Sequence, residues 1–206
     1  MKVILINGSP RKEGCTNVAL SEMASELEKL GIVTEREWLG IQPMADCIAC
    51  GKCKTSGECI FDDAVNRIGR KLDGFQGIVV GSPVYYGGIN GRTCSFLERL
   101  CYTFGPKMPG MAAAGVVSCR RGGATAAYER FQMYFGMMNM FTIGSQYWNQ
   151  IHGNTPEEAK QDLEGLQTMR TLAQNMAWFL KNREAGEKAG IAYPSCETVI
   201  KTNFIR

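Results

Sequence analysis

Three short apolar runs, Val3–Ile6, Ile78–Val80 and Ala112–Val117, each lead straight into a loop rich in glycine and serine and then into a helical pattern. Their apolar character is continuous and does not alternate, which suits parallel strands covered on both faces. Repetition of strand, loop and helix is what an open α/β sheet with helices on both sides requires. A more polar segment, Ile32–Leu39, fits a strand near an edge, and Phe141–Gly144 completes a set of five. Helical patterns fill the gaps. The first carries Val18, Leu20, Met23, Ala24, Leu27 and Leu30 on one face and stops at Gly31. The next runs from Ala64 to Leu72 behind Asp62 or Asp63 as N-cap, followed by about 92–102 and about 124–138. A long last helix opens at Thr155, Pro156 and Glu158 and runs to about Arg183. From about Glu184 the chain reads as a polar tail. In such sheets ligands sit beyond the carboxyl ends of the strands, near the point where strand order reverses. The loops after the first, third and fourth strands all lie along that edge.

The first of these loops spans Gly8 to Asn17, between a strand and a helix N-terminus, where free N–H groups and the helix dipole favour an anion. Ser9, Thr16 and Asn17 add neutral donors and Arg11 adds charge. A phosphate cradle and a plain capped turn both fit these residues. No Lys-Ser or Lys-Thr pair follows its glycines, and no Gly-x-Gly-x-x-Gly fingerprint is present, which argues against nucleoside triphosphates and dinucleotides. The second loop, with Pro83, Val84, Tyr85, Tyr86 and Gly87, offers an apolar and aromatic surface with room for a ligand to approach the backbone. The third, with Ser118, Arg120, Gly122 and Gly123, is a basic turn. Together they describe a site for a phosphate and a planar ring, as in a mononucleotide such as FMN. The single histidine, His152, leaves little basis for a Ser-His-Asp or Cys-His engine and reads as structural. No side chain is assigned as a catalytic acid or base.

Between the second strand and the next helix lies a different feature. Cys47, Cys50, Cys53 and Cys59 fall within the segment 46–59, spaced Cys-x2-Cys-x2-Cys-x5-Cys. Three states of this loop stay open on spacing alone. Four thiolates on short spacers can hold a [4Fe–4S] cluster within one loop, with Gly57 letting Cys59 turn back. Structural zinc usually pairs two Cys-x2-4-Cys knuckles, which this run matches poorly. An unmetallated, redox-active thiol loop is the third. Lys52, Lys54 and the loop glycines supply charge and N–H groups that would raise the potential of a cluster.

The chain has 206 residues, 45% of them hydrophobic and 21% charged, as expected of one globular domain. A formal charge of +3 is too small to argue for nucleic acid or an anionic membrane as partner. No apolar run approaches a membrane span, and Val3–Ile6 is too short for a signal-peptide core, so a cytoplasmic location is expected. Nine cysteines, an odd number, are expected to be mostly reduced there. Cys15, Cys94, Cys101, Cys119 and Cys196 are scattered and carry no assigned chemistry.

Gly-Ser-Pro-Arg-Lys-x-Gly-x-Thr-Asn at 8–17 and Gly-Ser-Pro-Val-Tyr-Tyr-Gly-Gly at 81–88 resemble the NADPH-dependent FMN reductase family of flavodoxin-like proteins. With the four clustered cysteines, the chain is similar to that family's iron–sulfur flavoprotein branch over about residues 1–183. The resemblance implies a flavodoxin-like three-layer sandwich with a five-stranded parallel sheet in the order 2-1-3-4-5. It implies FMN held by Ser9, Arg11, Thr16 and Asn17 at the phosphate, by 83–87 along the ring and by Ser118, Arg120, Gly122 and Gly123 at the third loop. It also implies NAD(P)H or a reduced carrier protein as electron source, and a homodimer or homotetramer with the 146–152 loop and the tail as contact regions. A non-catalytic flavodoxin-type FMN carrier or flavin-binding regulator without a metal cluster is the alternative.

Overall fold

The computed structural model describes residues 1–195 together with 197, 198, 200 and 202. Cys196 and the last part of the expected tail lie outside the described residues. The first strand, β1 (Lys2–Asn7), pairs in parallel with β2 (Val33–Trp38) on one side and with β3 (Gly77–Tyr85) on the other. Strand β3 turns back into a two-residue antiparallel partner, β4 (Gly88–Ile89). It then pairs in parallel with β5 (Ala112–Cys119), and β5 pairs with both β6 (Phe141–Thr142) and β7 (Gln150–His152). The path β2-β1-β3-β5-β6 is therefore the expected order 2-1-3-4-5, drawn with seven strands where five were expected.

The central strands are buried on both faces because alternate residues feed two different cores. Ile4, Ile6, Ile78, Val80, Ala113 and Val117 point to one side. There they meet α3 (Ala64–Gly69), α4 (Gly91–Phe104) and α5 (Ala124–Met137) through Ile68, Phe96, Leu100 and Phe131. Val3, Leu5, Val79, Ala114 and Val116 point to the other side. They are covered by Leu20, Met23 and Leu27 of α1 (Cys15–Lys29) and, further along the chain, by Met169, Leu172 and Met176 of its last helix. A short α2 (Cys53–Ser56) forms one turn inside the cysteine loop.

Two expectations are corrected. The fifth strand is not a single run at 141–144. Phe141–Thr142 pairs with the start of β5, and Gln150–His152 pairs with its end. The chain between them loops out, and the fully buried Asn149 closes that excursion. Its carbonyl accepts from Val117 N–H at 2.9 Å, and its side chain bonds Ser145 Oγ at 2.8 Å. The loop expected at 146–152 is therefore part sheet, with Ile151 in the core. The second correction concerns the last helix, which is two helices. Thr155 and Pro156 do open α6 (Pro156–Ala159), but Asp162 then caps a separate α7 (Leu163–Lys188), accepting from Gly165 N–H at 2.9 Å. The other oxygen of Asp162 accepts from the His152 N–H at 2.6 Å, so a tertiary bond to β7 fixes the break. The helix also continues five residues beyond Arg183 into the stretch read as tail.

Candidate functional site

The first loop is shaped by its own asparagine before any ligand is considered. Asn7 Oδ1 accepts from Ser9 N–H at 2.9 Å, and its amide donates to the Lys12 carbonyl at 3.0 Å. A second asparagine joins neighbouring loops. Asn90 caps α4 by accepting from Thr93 N–H at 3.0 Å, donates its side-chain amide to the Gly8 carbonyl at 2.8 Å, and donates its backbone N–H to Ser82 Oγ at 3.0 Å. Gly8 lies so close to this cap that a Cβ there would stand 2.0 Å from Thr93 Oγ1. The first intrahelical bond of α1 runs from Val18 N–H to the Gly14 carbonyl, so the N–H groups ahead of it are the helix's free N-terminal set.

One open cavity of about 150 Å3 lies at this edge. Ser9, Arg11 and Thr16 line it from the first loop, Pro83, Val84 and Tyr85 from the second, and Ser118 and Arg120 from the third. Thr16 and Ser118 hydroxyls meet at 2.8 Å, which ties the first loop to the third. The second and third loops touch as well: a Cβ on Gly123 would approach Gly87 Cα to 2.9 Å and Val84 Cγ1 to 3.0 Å. Tyr86 and Gly87 make the two-residue turn between β3 and β4, with φ of 49° and 80°. This is the geometry of a type I′ hairpin, which normally takes Asn-Gly. The Tyr86 side chain stands fully exposed and outside the cavity lining, and Gly122 is exposed as well.

Asn17 does not join this group. Its amide donates to Glu13 at 2.8 Å, and it lines a separate cleft with Lys12, Arg36 and Trp38. Five lining residues escaped the sequence reading: Gly14, Cys15, Cys119, Gly153 and Asn154. The last two follow β7, so missing that strand meant missing them. Arg11 donates to the Asn154 carbonyl at 3.3 Å, which holds its guanidinium at the rim. His152 Nδ1 lies 3.5 Å from Cys119 Sγ, but this is no activated pair. Burial, with the Asp162 carboxylate, pushes the Cys119 thiol up, and burial raises Cys15 too.

The cysteine loop lies against α4 on one side of the sheet. All four cysteines line one small cavity, closed by Ile60, Phe61, Arg99, Tyr102 and Thr103 among others. Gly57, at φ 72°, ends the α2 turn and sends the chain back toward Cys59, as its spacing suggested. Cys47 and Cys50 are exposed, whereas Cys59 is clamped. Its N–H donates to Asn66 Oδ1 at 2.8 Å, and its carbonyl accepts from the same amide at 2.9 Å. Among the described residues, no three His, Cys, Asp or Glu side chains meet around one point at single-ion distance. A cubane takes one thiolate per iron, so sulfurs arrayed around a shared void are the donor set it asks for.

Arg99 is the buried cation of this region, 1% exposed on the apolar face of α4 between Phe96 and Leu100. All five of its N–H donors are used. Nε donates to Cys59 Sγ at 3.2 Å, Nη1 to Asp63 Oδ2 at 2.7 Å and the Ala45 carbonyl at 3.3 Å, and Nη2 to Asp63 Oδ1 and the Phe61 carbonyl, both at 3.1 Å. Phe61 stacks 5.0 Å from the guanidinium. Burial opposes the charge, but Asp63 and then Cys59 outweigh it and raise the pKa. Asp63 is also the N-cap of α3, which confirms half of what the sequence suggested for it.

Comparison with known proteins agrees with this anatomy. The NADPH-dependent FMN reductase family matches residues 1–155. An iron–sulfur flavoprotein of Methanocaldococcus jannaschii is 32% identical over 191 residues, spanning 88% of this chain and 98% of its own. Another, from Methanosarcina thermophila, is 29% identical over 195 residues, spanning 89% of this chain and 100% of its own. Among solved structures, RosB with a bound 8-demethyl-8-formylriboflavin-5'-phosphate intermediate has a TM-score of 0.68 at 16% identity, covering 99% of this chain and 92% of its own. A flavodoxin from the Archaea has a TM-score of 0.60 at 16% identity, covering 88% and 99%, and these two show the shared fold. Fold and cleft thus define a flavodoxin-like protein with a cysteine loop set beside its sheet. The chain belongs to the NADPH-dependent FMN reductase family, in its iron–sulfur flavoprotein branch, and is an FMN-binding oxidoreductase.

Proposed function

We propose that the protein passes electrons between NAD(P)H or a reduced carrier protein and an acceptor, using FMN in the three-loop cleft and a [4Fe–4S] cluster on Cys47, Cys50, Cys53 and Cys59. The observation that carries this reading is the convergence of Ser9, Arg11, Thr16, Pro83, Val84, Tyr85, Ser118 and Arg120 on one cavity. FMN, when bound, supplies both hydride and single-electron chemistry, and a cluster supplies single-electron chemistry. The chain's own residues position and tune. Arg11 and the free N–H groups of α1 provide positive potential for a phosphate. The Thr16–Ser118 contact fixes the spacing between the phosphate end and the third loop. Val84 and Tyr85 offer an apolar flank for a flat ring, and Arg120 and the nearby backbone N–H groups offer donors to its edge. The buried Cys119 and the half-buried Cys15, whose thiols burial raises, line the cleft without acting as nucleophiles.

Anaerobic purification tests the reading directly. An absorbance spectrum with both flavin and charge-transfer bands, and iron equal to acid-labile sulfide, is expected. A flavin spectrum with substoichiometric iron rejects the cluster. Steady-state oxidation of NADH and NADPH by the FMN-loaded protein tests the donor. Absence of turnover with either, alongside rapid reduction by a ferredoxin-type carrier, rejects the nicotinamide route. We also infer a cytoplasmic homodimer or homotetramer. Its support is an apolar groove of about 260 Å3 between α4 and α5, lined by Cys101, Tyr102, Met133 and Met137. Light scattering that shows a monomer at high concentration rejects the oligomer. Among the described residues no helix is long and apolar enough to cross a membrane.

A further inference from the structure

We propose that Arg99 is a positioning residue that sets the reduction potential of the metal centre through Cys59, an inference that rests on the cluster reading above. The geometry separates Cys59 from the other three cysteines. Cys47 and Cys50 lie on the exposed part of the loop, and Cys53 has only a weak contact to the Tyr102 carbonyl at 3.9 Å. Cys59 alone among the four receives a charged donor in the described structure, the Arg99 Nε–H at 3.2 Å. Its backbone is fixed by both ends of the Asn66 amide, so the sulfur does not depend on a metal to find its place.

Arg99 in turn has no freedom to leave. Its other four N–H groups are held by Asp63 and two carbonyls, and Phe61 covers its face. One-electron reduction adds one negative charge to a thiolate-ligated centre, with no bond made or broken and no proton required. A fixed cation that donates to a ligand sulfur stabilises the more negative state, and hydrogen bonds to sulfur are a recognised determinant of cluster potential. Asp63 offsets the overall charge of the guanidinium but does not touch the sulfur. The directed N–H···S contact, and not net charge, is therefore the feature that distinguishes Cys59.

Two full-length variants, reconstituted anaerobically with iron, sulfide and FMN, test this. Arg99→Lys keeps a cation beside Asp63 and removes the Nε donor. Arg99→Met combined with Asp63→Asn removes the ion pair as a unit and leaves the α3 cap its side-chain oxygen. Redox titration followed by electron paramagnetic resonance is expected to show the cluster midpoint moved negative in both, while the flavin midpoint stays at the wild-type value. A merely structural role would speed iron loss without moving the midpoint. A midpoint unchanged in both iron-loaded variants overturns the inference and leaves the cluster reading intact. If circular dichroism shows the double variant unfolded, Arg99→Lys alone decides by the same criterion. A wild-type chain that takes up no iron overturns the cluster reading and this inference together.

Discussion

Single residues around the cleft sit where backbone and side-chain preferences decide the local shape. Tyr86 adopts φ 49° in a turn position that favours Asn or Gly, and it is fully exposed, so nothing it packs against offsets the strain. A left-handed conformation costs a residue with a Cβ about 1 kcal/mol. Tyr86→Asn is therefore expected to raise the unfolding free energy by about 1 kcal/mol, and to weaken FMN binding if the ring is retained for stacking. Urea unfolding and flavin-fluorescence titration check the two parts, and an unchanged or lowered stability removes the strain account. Gly8 is the opposite case. Its missing side chain is what allows the α4 cap to approach. Gly8→Ala forces Thr93 off Asn90, and a loss of about 2 kcal/mol is expected, with FMN affinity down about tenfold or more. Wild-type flavin affinity in that variant would show the cradle tolerates the displaced cap.

At the scale of elements, β2 is the exposed edge that the polarity of Ile32–Leu39 announced, and charges fasten it to α3 and the turn that follows it. Glu37 is paired with Arg67 and, at 2.5 Å, with Lys71; Lys71 also reaches Glu35. Burial pushes the Glu37 carboxyl up, and the hydrogen bonds from Lys71 and Arg67 outweigh it, leaving its pKa below the ordinary value of 4.5. A carboxyl depressed in the folded state stabilises fully above its unfolded pKa and loses that contribution as pH falls through the lowered value. Glu37→Gln is expected to lower stability by about 1 kcal/mol near neutrality, a modest figure because Arg67 is half exposed. The same change should flatten the decline in stability below about pH 4.5, and denaturation at a series of pH values checks the slope. Elements also show where sequence reading stopped. The three central strands, the edge strand and the three-loop edge were legible because continuous apolar runs and helix caps are local patterns. The division of the fifth strand was not, since it depends on Asn149 bonding across to Val117. Nor was the break before α7, where Asp162 answers to His152 on another strand. Arg99 left a trace, a charged residue on an apolar helix face, but its partners lie 36 and 40 residues away.

For the whole molecule, the eight described cysteines divide by environment, and that division is measurable. Cys101 is pushed up to about 12 by burial, and burial also raises Cys15, Cys94 and Cys119. In the metal-free chain at pH 8, brief alkylation followed by peptide mass spectrometry should label Cys47 and Cys50, which are exposed, well before these four. Early labelling of Cys101 would contradict the desolvation that raises its thiol. Helix α4 itself joins the two halves of the molecule. Its cap, Asn90, holds the first and second loops, and nine residues later Arg99 holds the cysteine loop. At about 1.5 Å of rise per residue these anchor points stand roughly 13 Å apart along a rigid rod. On the proposed reading, with FMN and a cluster bound at these two sites, the rod would act as a ruler for the distance between them. A residue added within the rod would lengthen that spacing by about 1.5 Å and rotate one anchor by roughly 100° away from the other.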